Sequence, residues 1–334
     1  MVTLGNSAGN TGIAPDPRYG EAEEVAGAMP DGARGTDPVI QRRRLGNELR
    51  RARQDAGLTQ RDVVDVMGWS QSKVMRIENG AFNISPNDLR ALLEWLAVGE
   101  PRMAEFIALS VAARGMPHWH IYRDVVTPAH LAFLGYEGSA SVVRNFAPSL
   151  VPALLQTEEY ARQVIGIMGG GDPERVDALV DLRMERQEIL VRRPLRQLHF
   201  VLDEAAIRRV VGGPAVMRRQ LIQLKEMAAC SNVTIRVVPF SAGVYPRLCM
   251  PFVLFTVPEL DDGDVLYLEG PFGELVVRES GPDRSDGACP AAYLHSFRRM
   301  EQLARPDDLS VAIDRVLAGL ASGRPAGRSV RRTR

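Results

Sequence analysis

The stretch LTQRDVVDVMGWSQSKVMRIENG, Leu58 to Gly80, constrains this chain more than any other. Two apolar patterns at helical spacing flank a single glycine, Gly68. Thr59 is a good N-cap for the first helix, and Val63, Val64 and Val66 give that helix an apolar side. Ser70 can cap the second helix, whose inward side carries Val74 and Ile77, three residues apart. Asn79-Gly80 ends it. Two short helices joined by a tight glycine turn follow the helix-turn-helix plan. Gln71, Ser72, Lys73 and Arg76 remain outward on the second helix. They are short or forked hydrogen-bonding groups near a helix N-terminus, of the kind that reach base edges in a major groove. The N-terminus itself suits a phosphate.

The rest of the first hundred residues fits around this pair. Residues 1–38 are rich in Gly, Pro, Ala and Asp without periodicity and read as a disordered leader. A first helix starts near Val39, with Ile40, Leu45, Leu49 and Ala52 as one stripe and Gly57 as its stop. Ser85-Pro86 opens a fourth helix and Pro101 a fifth, which runs to about Arg114. The expected domain is therefore a compact five-helix unit over 39–114. The chain carries 41 basic and 41 acidic residues. Its neutrality conceals a basic segment, since Gln41–Gly80 holds nine Arg and Lys against five Asp and Glu. A bound phosphate responds to that local field. Charge alone also fits a helical interaction module whose arginines (Arg42, Arg43, Arg44, Arg50 and Arg51) merely face water.

Beyond residue 115 the pattern changes. LHFVL (198–202), VTIRVVP (233–239), PFVLFTV (251–257) and DVLYLEG (264–270) read as strands, with a helix between the first two. The stretch between His118 and Met168 reads as helices alternating with proline turns. Two helices close the region, from Pro290 and from Ser310. This predicts an α+β class: a five-helix N-terminal domain, then a mixed α+β domain over 115–321, then a basic disordered tail over 322–334. The segment Pro258–Gly287 is strongly acidic and reads as a solvated loop, or as a docking surface for a basic partner. No apolar run is long enough to cross a bilayer, and Cys230, Cys249 and Cys289 have no paired spacing. A reduced, cytoplasmic protein is the expectation.

The residues also carry a resemblance. LGNELRRARQDAGLTQRDVVDVMGWSQSKVMRIENG resembles the repressor-type helix-turn-helix of the Cro/C1 and Xre class, through Leu49, Arg53, Gly57, Leu58-Thr59-Gln60, Gly68, Ser70, Ile77 and Glu78-Asn79-Gly80. The resemblance implies that Gln60 lies by the DNA backbone and that Arg53 and Glu78 pair inside the domain. APSLVPALLQTEEYARQVI, RMERQEIL, VLDEAAIRRVVGG and VTIRVVPFSAGVYP resemble the domain of unknown function DUF5753, found behind such modules in actinomycete, Streptomyces-like regulators. Some of these are antitoxin-like and are encoded beside a small companion protein. Ala153 departs from that pattern, where the family usually has Gly. If that Gly served a left-handed turn, Ala153 would be strained.

Catalytic signals are weak. His199, Asp203 and Glu204 lie close together in sequence, and His118 and His120 could offer two ligands on a strand without a third. GGGDP at 169–173 lacks the Lys-Ser/Thr of a phosphate loop and reads as a turn. No catalytic, metal or cofactor site is expected. Pro239, Phe240, Gly243, Tyr245 and Pro246, in the loop between two strands, are candidates to line a pocket or meet a partner. The expected protein is a sequence-specific DNA-binding transcriptional regulator whose second domain senses a protein or small ligand. Its DNA set is Gln60, Ser70, Gln71, Ser72, Lys73, Arg76 and Asn79. A homodimer on double-stranded DNA is expected. The alternative is an antitoxin-like adaptor for a small companion protein, with autoregulatory DNA binding.

Overall fold

The computed structural model describes residues 37–115, 118–168, 172–191, 195–260, 263–270, 273–278, 289–304 and 308–321. The expected leader up to residue 36, the glycines of 169–171 and the basic tail lie outside them. Asp37 accepts a hydrogen bond from Val39 N at 2.8 Å and caps α1 (Pro38–Asp55). Thr59 and Asp62 form a reciprocal capping box on α2 (Gln60–Met67), and the hydrogen bonds from Thr59 hold the Asp62 carboxyl below its ordinary pKa. Gly68 closes α2 at φ 63°, a conformation that suits glycine. Ser70 caps α3 (Gln71–Glu78), and Ser85 caps α4 (Pro86–Trp95), which has Pro at its start. Then comes α5 (Arg102–Ala112).

Leu45, Leu49, Val63, Val74, Ile77, Leu89, Leu93 and Phe106 form one buried cluster among these helices. Val66 does not join it and is 53 % exposed. Helical phase explains this. Met67, four residues after Val63, lies closer to the inner line than Val66, and it packs against the cluster.

The second region begins with a 3₁₀ turn at His118–Tyr122, where a strand had been expected to present two histidines. After α6 (Pro128–Ser139) comes β1 (Val142–Ala147), which the reading of 118–168 as helices and turns had missed. Next are α7 (Glu158–Met168), α8 (Pro173–Arg186), β2 (Gln197–Asp203), α9 (Glu204–Arg208), α10 (Pro214–Ala228) and β3 (Val233–Val238). The chain continues through β4 (Phe252–Thr256), β5 (Val265–Gly270), β6 (Gly273–Arg278), α11 (Pro290–Leu303) and α12 (Asp308–Ala321). The described part of the acidic segment is thus largely sheet rather than loop.

The sheet order is β3-β2-β1-β4-β5-β6. β1, β2 and β3 run parallel, and β4, β5 and β6 add antiparallel neighbours. One face carries Val143, Phe200, Leu202, Ile235, Phe255 and Tyr267, packed with residues of α6, α10 and α12. The other carries Phe146, Val201, Phe252, Leu254 and Leu266 beneath Tyr293, Phe297 and Met300 of α11. Each fully buried aromatic or aliphatic side chain contributes about 1.5–3 kcal/mol.

Ile40, in the first turn of α1, is fully buried in the α+β core rather than in the helical one. The expected domain boundary after residue 114 therefore does not separate two independent cores. Ala153 opens a short 3₁₀ turn (Ala153–Leu155). Among the described residues the non-glycine positions with positive φ are Ala97 and Arg247, so Ala153 carries no such strain.

Candidate nucleic-acid interface

The interface is built on α3. Val74 and Ile77 fix one side of this helix into the core, and Gln71, Ser72, Met75 and Arg76 stand exposed on the other. Ser70 is exposed, and its Oγ accepts from Lys73 N at 3.1 Å, so it serves the helix as a cap. Arg76 lies 5.1 Å from the centre of the Phe82 ring. Lys73 is half-buried. Its Nζ meets Asp88 Oδ2 at 3.1 Å and lies 4.1 Å from the centre of the Trp69 ring. Of the four side chains expected outward, Lys73 alone is already engaged with an acid.

The far end of α3 is tied down by a buried carboxylate. Glu78 Oε1 accepts from Arg53 Nε at 2.6 Å, and Oε2 accepts from Arg53 Nη2 at 3.1 Å and from Gln60 Nε2 at 2.8 Å. Arg53 Nη1 also reaches the Leu58 carbonyl at 2.7 Å. Gln60 thus spends one amide hydrogen inside the domain, and one remains to donate elsewhere. Asn79 Oδ1 accepts from Arg50 Nη2 at 2.6 Å, which leaves the Asn79 amide nitrogen to donate.

Close backbone approach completes the frame. A Cβ placed on Gly46 would lie 2.6 Å from the carbonyl oxygens of both Ile77 and Glu78. Gly80, at φ 66°, faces the Arg43 backbone with similar closeness. These glycines let α1 cross the end of α3.

The arginine run divides. Arg43 is 1 % exposed and cannot meet a phosphate, and Arg42 Nη2 turns toward the Ala113 carbonyl at 3.4 Å. Arg44 and Arg51 are exposed, the latter within 3.2 Å of Glu48. Reading from sequence had passed over Arg61, exposed at the start of α2, and Met75, exposed between Ser72 and Arg76. Helical phase alone would have found Met75.

In the second domain the expected groupings separate. His199 and Asp203 are four strand residues apart, about 13 Å. His199 Nδ1 lies 4.0 Å from Glu301, and burial lowers the imidazole pKa. Asp203 caps α9 through Ala205 N and accepts from Tyr245 OH at 2.6 Å. Glu204 accepts from Phe240 N at 2.7 Å. Tyr245 is therefore a buried strut rather than a pocket wall, and burial beside Asp203 pushes its pKa up. Phe240, Gly243 and Pro246 are exposed. His118 bonds Glu185, while Arg123 Nη1 donates to the His120 ring at 3.0 Å.

Residues 44–106 match the family model of a helix-turn-helix domain, and residues 131–312 match that of a domain of unknown function (DUF5753). No curated protein and no solved structure matches the chain.

Proposed function

Because this chain belongs to the family defined by the domain of unknown function DUF5753, with a helix-turn-helix domain ahead of it, we propose that it is a sequence-specific transcriptional regulator. The observation that carries this reading is the exposed row Gln71, Ser72, Met75 and Arg76 on a helix pinned at its far end through Glu78. Arg76 is the group to take a guanine, Gln71 an adenine, and Met75 the methyl of a thymine. Ser70 and the first amides of α3 face a phosphate, with Arg44, Arg61 and the free amide hydrogens of Gln60 and Asn79 in support. Lys73 joins only by exchanging Asp88 for DNA. A homodimer would set two such helices on half-sites one helical turn apart.

The second domain is the sensing domain in this proposal. A protein partner is favoured by the loop after β3, where Phe240 is 56 % and Val244 91 % exposed above the Tyr245–Asp203 anchor. In that reading a small companion protein binds the loop, and DNA binding serves autoregulation.

Fluorescence anisotropy of the full chain on DNA from upstream of its own gene, against scrambled DNA at physiological salt, tests the proposal. A preference of about a thousandfold is expected. Equal affinity for both DNAs sinks it.

A further inference from the structure

A cleft of about 390 Å³ opens at the carboxyl ends of β2 and β3. Its size lies within the range of small-ligand pockets, about 300–1,000 Å³. β2 and β3 run parallel, so both strands finish at the same end of the sheet, the end at which open α/β sheets hold ligands. Glu204 directly follows β2, and Ser241 lies in the loop after β3; both line the cleft. Val311, Ala312 and Arg315 of α12 line it with them. Helical phase puts them there. Leu309, Ile313 and Val316 bury one side of α12 in the core, and Val311 and Arg315, four residues apart, stand exposed on the other. Lys225 of α10 holds this helix in place through Asp314, Nζ to Oδ1 at 2.8 Å.

The charges in the cleft do not cancel. Glu204 is buried, and both its oxygens are engaged: Oε1 accepts from Arg208 Nε at 2.5 Å and Oε2 from Phe240 N at 2.7 Å. Arg208 therefore answers its charge, and the two bonds keep the carboxylate from swinging toward Arg315. Arg315 makes no hydrogen bond or ion pair among the described residues, and the exposed Ser241 hydroxyl makes no hydrogen bond among them. One cavity thus holds an uncompensated guanidinium and an unused hydroxyl, both open to solvent.

We infer that this cleft takes the anionic end, carboxylate or phosphate, of a small hydroxylated effector, with Arg315 binding the anion and Ser241 a hydroxyl. The planar guanidinium fork matches either oxyanion. Glu204, already fixed by two donors, keeps lone pairs for a ligand hydroxyl and has nothing to offer a second anionic group. Val311 and Ala312 give a short carbon body an apolar wall. The inference rests on reading the second domain as a sensing domain.

The test is thermal melting of the full chain in glycerol phosphate, in glycerate and in glycerol, with ionic strength held by chloride. The probes share a hydroxylated body and differ in the anion. A saturable rise in melting temperature at millimolar concentration is expected for at least one anion, and none for glycerol. The stronger anion gives the source of the group. Arg315→Gln removes the cation and Ser241→Phe fills the cleft, both at exposed positions, and each should raise the half-saturating concentration at least about tenfold. Arg175→Gln, exposed on α8, should leave it unchanged. No saturable response to either anion, a response matched by glycerol, or an undiminished one in folded Arg315→Gln or Ser241→Phe overturns the inference. Anisotropy on the upstream DNA, run on the same samples, reads the regulator proposal separately. A probe that binds and leaves DNA affinity unchanged counts against the sensing reading alone.

Discussion

Arg53 of α1 and Glu78 at the end of α3 meet side-on in the helical core, Nε to Oε1 at 2.6 Å and Nη2 to Oε2 at 3.1 Å, both residues buried. Removing Glu78 strands Arg53 as a buried charge, and removing Arg53 leaves Glu78 with only the Gln60 amide and Arg50 Nε at 3.5 Å. Arg53→Met is expected to cost about 3–5 kcal/mol of stability. Pairing it with Glu78→Leu should recover a large part of that loss, because no lone charge remains. Urea denaturation of the two single variants and the double variant measures this, and strict additivity would contradict the pairing.

Gly46→Ala tests the crossing of α1 over α3. The new methyl would meet two backbone carbonyls, which cannot rotate away as a side-chain tip would. A loss of about 1–3 kcal/mol is expected, together with weakened DNA binding, because α3 must shift. Gly99→Ala, where an added Cβ meets nothing within 4 Å, is the control and should leave both unchanged.

On the proposed reading, the surface around α3 divides into base-reading and phosphate-holding groups. Arg76→Ala and Gln71→Ala should each relax preference at one base-pair position by about 1–3 kcal/mol. Arg44→Ala should weaken every sequence alike and lower the salt slope by about 1. Asp88→Ala frees Lys73, and non-specific affinity should rise. Binding to single-substitution operator libraries at two salt concentrations reads all of these, and a uniform loss for Arg76→Ala would displace it from the groove.

Acid stability should depend on Glu274. Burial would raise its pKa, but hydrogen bonds from His130 Nδ1 at 2.9 Å, from Thr127 and from Tyr267 OH at 2.6 Å outweigh it and hold the carboxyl at about 2. The folded value lies below the ordinary 4.5, so the native state favours the charged form. Its contribution is complete above the ordinary value and is lost as pH falls from there through about 2. Denaturation across this window should show the parent losing stability faster than Glu274→Gln. Parallel pH curves would refute the assignment.

The helical domain was legible because its signals are local. Thr59, Gly68, Ser70 and Ser85 each act within three residues of themselves, and they stand where the sequence put helix ends. β1 was illegible for the opposite reason. Arg144 and Asn145 break the apolar run, and the strand exists through pairing with 197–202 and 252–256, far away in the chain. β6 lies in the acidic stretch, where Glu274 and Arg278 disguise a strand whose polar groups turn toward His130 and Tyr136. At the candidate site, Arg43 looked like its neighbours Arg42 and Arg44. Its spacing of three from Ile40 and four from Asn47, both buried, was the available sign. The hydrogen bond that Glu78 accepts from Gln60 had no sign in the sequence, because it joins two helices through one oxygen atom.

Ile40 belongs to one core and Leu45 and Leu49, a turn or two later on the same helix, to another. The helix-turn-helix is therefore not a detachable cassette. A fragment ending near residue 114 would leave Ile40 wet, and the remaining chain would keep an open socket in its core where α1 packs against α6. Truncations and domain grafts cut at that apparent seam should yield two weakened pieces. A strain felt in the sheet domain also has a stiff, continuous shaft along which to reach the DNA-reading end.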